Sequence, residues 1–157
     1  MRVERRNVID ADRDAVWKIV GDPDGYPSFM TSLERWESAN DEPPGVGARY
    51  YVHWKVGSVP VGGLMEVVEF DYLRDLAWVG ITGVNMRGRI RLRDTGDGQT
   101  RATFRLSYQA PGGIWGYIAD RVAVRQVGRI AADTLRRLKE LAESAADEVS
   151  TSHPVPH

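Results

Sequence analysis

The chain has 157 residues, of which 42% are hydrophobic and 27% charged, with a formal net charge of −1 and no cysteine. This length fits one domain with one core, and the near-neutral charge gives no general reason to expect a nucleic acid or an anionic membrane as partner. The lack of cysteine excludes disulfides, thiol nucleophiles and cysteine metal sites within this sequence, and it is compatible with a reducing cytosol. Neither a secretory signal nor an apolar run of ~18 residues is found, so we expect a soluble, cytoplasmic protein without stable membrane insertion.

The N-terminal segment predicts a strand followed by a helix. Residues 2–9 mix valine and isoleucine with charged side chains, which is typical of a half-buried strand. Either Asp10 or Asp12 can cap the free amides of the helix that follows, and Gly21 is expected to end it. The helix has an apolar stripe made of Ala15, Val16, Ile19 and Val20.

A second, shorter helix is predicted directly after the first. Asp22 is placed as its N-cap, and Pro23 suits its first helical position. The helix should extend to about Met30 and be irregular, because Gly25 and Pro27 both disfavour a regular helix.

From residue 32 the hydrophobic period changes to two, which predicts strands. Residues 40–47 are dense in turn formers and predict a loop, and residues 57–63 predict a turn. The strands are expected at residues 32–39, 48–56, 64–71, 76–82, 85–93 and 101–108.

The last two strands form the clearest pair, an antiparallel hairpin with one apolar and one charged face. The charged face, called here the arginine face, carries Arg87, Arg89, Arg91, Arg93, Arg101 and Arg105. Glu66 and Glu69 lie on neighbouring strands, and no aromatic residue interleaves with the arginines to stack on bases. A solvated outer face is therefore favoured over a nucleic-acid site, while a docking surface remains an alternative.

The C-terminal third predicts one long helix from residue 114, followed by a loose tail. Its apolar face includes Ile114, Ile118, Val127, Ala131, Thr134, Leu135, Leu138 and Leu141. We expect a single domain over residues 1–145 and a disordered tail over 146–157. This helix is the only element large enough to cover the apolar face of the sheet, and a curved sheet over a helix leaves a volume between them.

Three segments carry a resemblance to a known family. They are residues 8–30, with Ala15-Val16-Trp17, Asp22 and Tyr26-Pro27; residues 44–54; and residues 134–143. The chain resembles the START-like, Bet v 1-like (SRPBCC) superfamily, in particular its bacterial polyketide cyclase/dehydrase branch. The resemblance implies an α+β helix-grip fold. In this fold a curved antiparallel sheet of about seven strands wraps around a long C-terminal helix, with two short helices after strand 1.

The resemblance also implies an internal cavity for a hydrophobic ligand, with a filled core as the alternative. Large apolar surfaces, polar ring tips and adaptable thioethers suit such a cavity. Tyr108 and Asn85 are candidates to orient a ligand, whereas Trp17 is expected to be structural. Trp115 and Tyr117 could act as a gate at the helix start, or belong to a flexible connection. The candidate ligand-binding residues are Phe29, Met30, Tyr50, Trp54, Met65, Trp78, Met86, Phe104, Tyr108, Trp115 and Ile118.

His53 is the most conspicuous candidate for a catalytic base. If Tyr50 and Trp54 lie on the apolar face of their strand, His53 points to water, and only a one-residue bulge would reverse this. We therefore assign no catalytic residue. His153 and His157 lie in the tail and no ligand spacing is found, so neither a metal nor another cofactor is expected.

Three functions remain open from the sequence. The first is binding of a hydrophobic small molecule, such as a lipid, a polyketide or another polycyclic or acyl ligand. The second, which the resemblance implies, is a polyketide aromatase/cyclase that steers ring closure of a chain held in the cavity. The third is a regulatory or toxin-like interaction protein that uses the arginine face. A homodimer is compatible with each of them.

Overall fold

The computed structural model describes residues 2–57, 59–83, 85–109 and 114–151, with backbone only at residues 59 and 114–123. The described residues form two α-helices, α1 (Arg13–Val20) and α2 (Ile114–Thr151), and a short 3-10 helix over Pro23–Ser28. The strands are β1 (Arg2–Ile9), β2 (Leu33–Ser38), β3 (Arg49–Val56), β4 (Val59–Asp71), β5 (Asp75–Gly80), β6 (Met86–Asp94) and β7 (Thr100–Tyr108).

The strands form one sheet in the order β1-β7-β6-β5-β4-β3-β2, and each neighbouring pair is antiparallel. Long helix α2 packs on the inner face of this sheet, where it buries Ala131, Leu135, Leu138 and Ala142. Because β3, β6 and β7 alternate buried residues with exposed or half-buried ones, the inner face forms the core and the outer face meets solvent. The predicted α+β helix-grip fold is confirmed.

Helix α1 begins at the second of its two candidate caps. The backbone N–H of Ala15 donates to Oδ1 of Asp12 at 2.9 Å, which satisfies an amide that would otherwise lack a partner. The buried face of the helix includes Trp17, whose ring meets Phe70 edge-on with centroids 5.2 Å apart. Trp17 therefore packs α1 against the sheet, which agrees with the structural role expected for it.

The second helix is a 3-10 helix over Pro23–Ser28 rather than an α-helix. Pro27 within it removes one amide donor, which explains why the tighter and shorter form is adopted. Asp22 precedes it as predicted, but its side chain makes no capping hydrogen bond. The segment is held instead by Tyr26, whose hydroxyl donates to the carbonyl oxygen of Val20 at 2.6 Å.

Strand β4 is longer than predicted, so the expectation of a turn over residues 57–63 is wrong for most of that segment. The strand begins at Val59 and pairs with β3 from there, after Gly57 turns the chain with φ of 63°. Its other side pairs with β5 only from Met65 onward. Pro60 is tolerated because one side of the strand has no ladder partner at this point among the described residues.

Helix α2 also extends beyond its predicted end near Ala145 and continues to Thr151. Beyond Ala145 the sequence contains neither glycine nor proline until Pro154, so neither of the strong helix breakers interrupts the helix before Thr151. Ala146 packs against the core, which gives the additional turn an apolar contact. The predicted loose tail is therefore helical through Thr151, and residues 152–157 lie outside the described residues.

Candidate functional site

An apolar cavity lies between the inner face of the sheet and helix α2. Its volume is about 60 Å3. Strands β3, β4, β6 and β7, helix α2 and the segment after the 3-10 helix all contribute to its wall. The lining residues are Met30, Trp54, Val56, Val61, Met86, Phe104, Leu106, Ser107, Tyr108, Val127, Ile130 and Thr134. None of these described lining residues is charged.

The cavity wall contributed by β3 confirms the predicted facing of that strand. Tyr50, Val52 and Trp54 are buried, whereas His53 is exposed on the outer face. A bulge does occur next to this strand, but it lies in β2, between Leu33 and Arg35. His53 is therefore unavailable to the cavity as a base.

Five of the predicted ligand-binding residues meet at this cavity. Met30 follows the 3-10 helix, Trp54 lies on β3, Met86 begins β6, and Phe104 and Tyr108 lie on β7. Four of the five side chains are buried, and Tyr108 is half-buried. These residues come from distant parts of the chain, and only the folded sheet brings them to one place.

Four other candidates, Phe29, Tyr50, Met65 and Trp78, belong to the packed core and do not line the cavity. Tyr50 stacks on Trp36 with ring centroids 4.8 Å apart, and Trp78 packs on Phe104 at 6.1 Å. These ring contacts are part of the packed aromatic core on the inner face of the sheet. The side chains of the remaining candidates, Trp115 and Ile118, and of the gate candidate Tyr117 lie outside the described residues.

Several lining residues were not predicted. Val56 and Val127 lie on apolar faces that the sequence pattern identifies, so the signal for them was present. Val61 was missed because its segment reads as a turn, and Ile130 lies beside the predicted helix stripe rather than in it. Thr134 is in the stripe, but a threonine gives no sign of whether it faces a cavity or a packed core.

Polar contacts fix the helix wall of the cavity to the segment that enters β2. The backbone N–H of Thr31 is 3.4 Å from Oγ1 of Thr134, and the Thr31 hydroxyl is 3.4 Å from the carbonyl oxygen of Ile130. Thr134 is buried, so its hydroxyl is one of the few polar groups at the wall. At the other end, Nδ2 of exposed Asn85 donates to Oε1 of Gln109 at 2.8 Å, beside Tyr108.

Two tyrosines of the packed core are held in the neutral form. Burial raises the pKa of Tyr26 well above its ordinary value, and the nearby Tyr50 and Asp22 raise it further. The pKa of Tyr50 is also raised, mainly by burial and then by the negative charges of Asp24 and Asp22. Neither phenol can serve as a base near neutral pH, although a neutral phenol can still donate a hydrogen bond.

The arginine face lies on the opposite side of the sheet and is largely paired. Arg89 pairs with Glu69, and Arg105 lies 2.7 Å from Oε2 of Glu4. Asp75 receives two arginines, with Arg91 Nε at 3.0 Å and Arg93 Nη2 at 3.2 Å.

The described residues offer neither a metal site nor a membrane-spanning helix. No cluster of histidine, aspartate and glutamate within them could hold a metal ion. Likewise, none of the described helices is both long enough and apolar enough to cross a membrane.

Solved structures with the same fold cover nearly the whole chain. TTHA0849 from Thermus thermophilus matches with a TM-score of 0.80 at 19% identity, over 93% of this chain and 99% of its own. The Zhui aromatase/cyclase from Streptomyces sp. R1128 matches with a TM-score of 0.79 at 20% identity, over 93% and 95%. A START superfamily protein from Mycobacterium smegmatis matches with a TM-score of 0.62 at 14% identity, over 94% and 98%. At these identities the similarity shows the fold alone.

Sequence comparison gives a family but no individual relative. No curated protein matches this sequence significantly. The family model described as polyketide cyclase/dehydrase and lipid transport, in contrast, matches residues 1–143. That match spans the whole sheet and most of α2, the elements that enclose the cavity. The chain therefore belongs to the polyketide cyclase/dehydrase and lipid transport family.

Proposed function

We propose that this protein binds a hydrophobic small molecule, such as a lipid, a polyketide or another polycyclic or acyl compound, in the cavity under α2. The observation that carries the proposal is the predominantly apolar wall formed by residues from four strands and the helix. Burial of apolar ligand surface supplies the affinity, at roughly 25 cal/mol per Å2. The hydroxyls of Thr134 and Tyr108 are the groups that orient the ligand.

The cavity is small for a ligand-binding site. About 60 Å3 is well below the roughly 300–1,000 Å3 of typical ligand pockets, so the cavity must widen to accept a ligand. Met30 and Met86 suit this role because unbranched thioether side chains repack at low cost. Binding is therefore expected to be accompanied by repacking of these two side chains.

Filling the cavity from the helix side tests the proposal. Val127→Phe places a phenyl ring in the wall, and we expect the affinity for palmitate or anilinonaphthalene sulfonate to fall at least about tenfold. Val124→Phe is the matched control: it makes the same substitution one turn earlier on α2, where Val124 is 38% exposed and does not line the cavity. Fluorescence titration measures both affinities, and circular dichroism checks that both variants fold.

Unchanged affinity in a folded Val127→Phe variant would place the binding site elsewhere. An equal loss in both variants would point to nonspecific binding at the helix surface. Only a loss confined to Val127→Phe supports the cavity as the site.

The second candidate function is an aromatase/cyclase, which the family and the likeness in fold to the Zhui aromatase/cyclase support. The described lining residues include no carboxylate or histidine. Ring closure here would therefore depend on how the wall folds a reactive chain, with the hydroxyls of Tyr108 and Thr134 as hydrogen-bonding groups. Incubation with a poly-β-ketone thioester distinguishes the two functions, because a carrier releases it unchanged whereas a cyclase releases a ring.

A further inference from the structure

A shallow depression of about 260 Å3 lies on the outer face of the sheet, over strands β1, β6 and β7. Six arginines line it, Arg6, Arg89, Arg91, Arg93, Arg101 and Arg105, and we call it the arginine basin. Glu4 and Thr103 complete its described lining. The basin lies on the opposite face of the sheet from the ligand cavity, so binding in the basin does not depend on the proposed function.

The register of β6 and β7 places like charges directly opposite each other in this basin. Arg89 faces Arg105 across the strand pair, and Arg93 faces Arg101. Two identical charges at directly opposed positions destabilise a strand pair. The two pairs lie on either side of the row in which Arg91 faces Thr103. Three of these four arginines are paired with carboxylates, and an anion bound between the two pairs would reduce the repulsion that remains.

The carboxylates around the basin neutralise only half of its charge. Glu4, Glu69 and Asp75 are the acidic partners of its arginines, so six positive charges meet three negative ones and leave a formal +3. The whole chain has a formal net charge of −1, so the basin is a local concentration of positive charge on a slightly negative molecule. Arg101 makes no ion pair within the described part of the chain, and Arg6 shares Glu4 with Arg105.

We propose that the arginine basin is a binding site for the phosphate groups of an anionic ligand. Guanidinium forks match the oxygens of phosphate in bidentate geometry, and a net charge of +3 within a few strand spacings suits an anion with more than one negative charge. Strands lie ~4.8 Å apart and same-face residues ~6.8 Å apart, so arginines from adjacent strands can reach one compact anion. The hydroxyl of Thr103 offers a neutral donor in the middle row. Recognition of bases is disfavoured, because none of the eight described lining residues is aromatic.

Calorimetric titration of the full chain with inorganic pyrophosphate tests the site. Arg101→Gln removes a basin arginine that has no described ion-pair partner, and it therefore leaves no carboxylate unpaired. We expect it to weaken pyrophosphate binding about tenfold, or about 1.4 kcal/mol. Arg87→Gln is the matched control, since Arg87 is also exposed on the same face and unpaired among the described residues, but lies outside the basin. Thermal unfolding checks that both variants fold like the parent.

A second arm identifies the source of the phosphate. Vesicles that contain phosphatidic acid are compared with vesicles of phosphatidylcholine alone in a sedimentation assay with the same variants. If pyrophosphate binds and only Arg101→Gln weakens this binding, the result supports a soluble phosphate ligand. Binding to phosphatidic acid vesicles alone, with the same difference between variants, supports a phospholipid headgroup. Absence of binding in both arms, or an equal loss in Arg87→Gln, overturns the proposal, because the latter would reflect only the general positive field of the face.

Discussion

Gly88 lies directly opposite Trp78 across β5 and β6, and the two residues depend on each other. A Cβ atom at Gly88 would overlap the ring atoms Cε2 and Cζ2 of Trp78, so the indole occupies the space that this glycine leaves. Trp78 in turn packs on Phe104, which lines the apolar cavity. A glycine in the middle of a strand is intrinsically unfavourable, and here close packing accounts for it.

Gly88→Ala is expected to destabilise the protein by about 1–3 kcal/mol, because the new methyl group must displace a fully buried indole. Urea unfolding followed by circular dichroism measures the change. Gly25→Ala serves as the control, since the nearest atom to its added Cβ is Oδ2 of Asp22 at 3.6 Å, and its effect should stay within about 0.5 kcal/mol. Equal stability of the two variants would contradict the close packing of Trp78 on Gly88.

At the scale of elements, the orientation of β3 decides which of two adjacent side chains, Trp54 or His53, reaches the cavity. Its alternation places Trp54 in the wall and the adjacent His53 on the outer face. Val61 of β4 pairs with Trp54 and lines the same wall, because β4 begins early enough to extend beside β3. The unexpected length of β4 thus closes one side of the cavity.

Adjacent substitutions on β3 test this orientation, given the proposed ligand binding. Trp54→Leu should weaken palmitate binding about tenfold through the lost apolar wall, whereas His53→Leu should leave the affinity unchanged. Fluorescence titration of both variants provides the comparison. A loss in His53→Leu that matches the loss in Trp54→Leu would mean that the outer face takes part in binding.

At the scale of the whole molecule, the two faces of one sheet have opposite chemistry. The inner face is apolar and holds the core and the cavity, while the outer face carries arginines and their carboxylate partners. Asp75 is the most buried of these carboxylates, with an 8% exposed side chain that bridges Arg91 and Arg93. Burial by itself raises the pKa of Asp75, but hydrogen bonds from the two arginines, together with their charges, outweigh it and leave the pKa below its ordinary value of 3.8.

The lowered pKa of Asp75 gives a pH dependence of known sign. Its contribution to stability is fully present above pH 3.8, where the unfolded chain is also ionised, and is lost as the pH falls through the lower pKa of the folded state. Asp75→Asn should therefore be less stable than the parent at neutral pH, and the gap should narrow below about pH 4. Urea unfolding across this range measures the gap, and a gap that stays constant or widens in acid would contradict the ion pairs.

The order of elements, the facing of the strands and the family resemblance could all be predicted from the sequence. They depend on local patterns: a period of two that assigns Trp54 inward and His53 outward, a period of 3.6 in α2, and glycine or proline at helix ends. Local patterns failed where pairing or packing overrides them. Pro60 lies in a strand because no described strand pairs with that side of β4 at this point, and α2 continues past Ala145 because Ala146 meets the core.

The sequence by itself determined which side chains face the interior, and only the tertiary structure decided which of them border empty space. Periodicity reports the face of a strand, but it does not report how closely the opposite helix approaches at each point along it. Trp54 and Tyr50 have the same facing on the same strand, yet Trp54 lines the cavity while Tyr50 stacks on Trp36 in the packed core. Likewise, the arginines could be read from the chain, whereas their like-charge pairs and their shared carboxylates arise only from the register between strands.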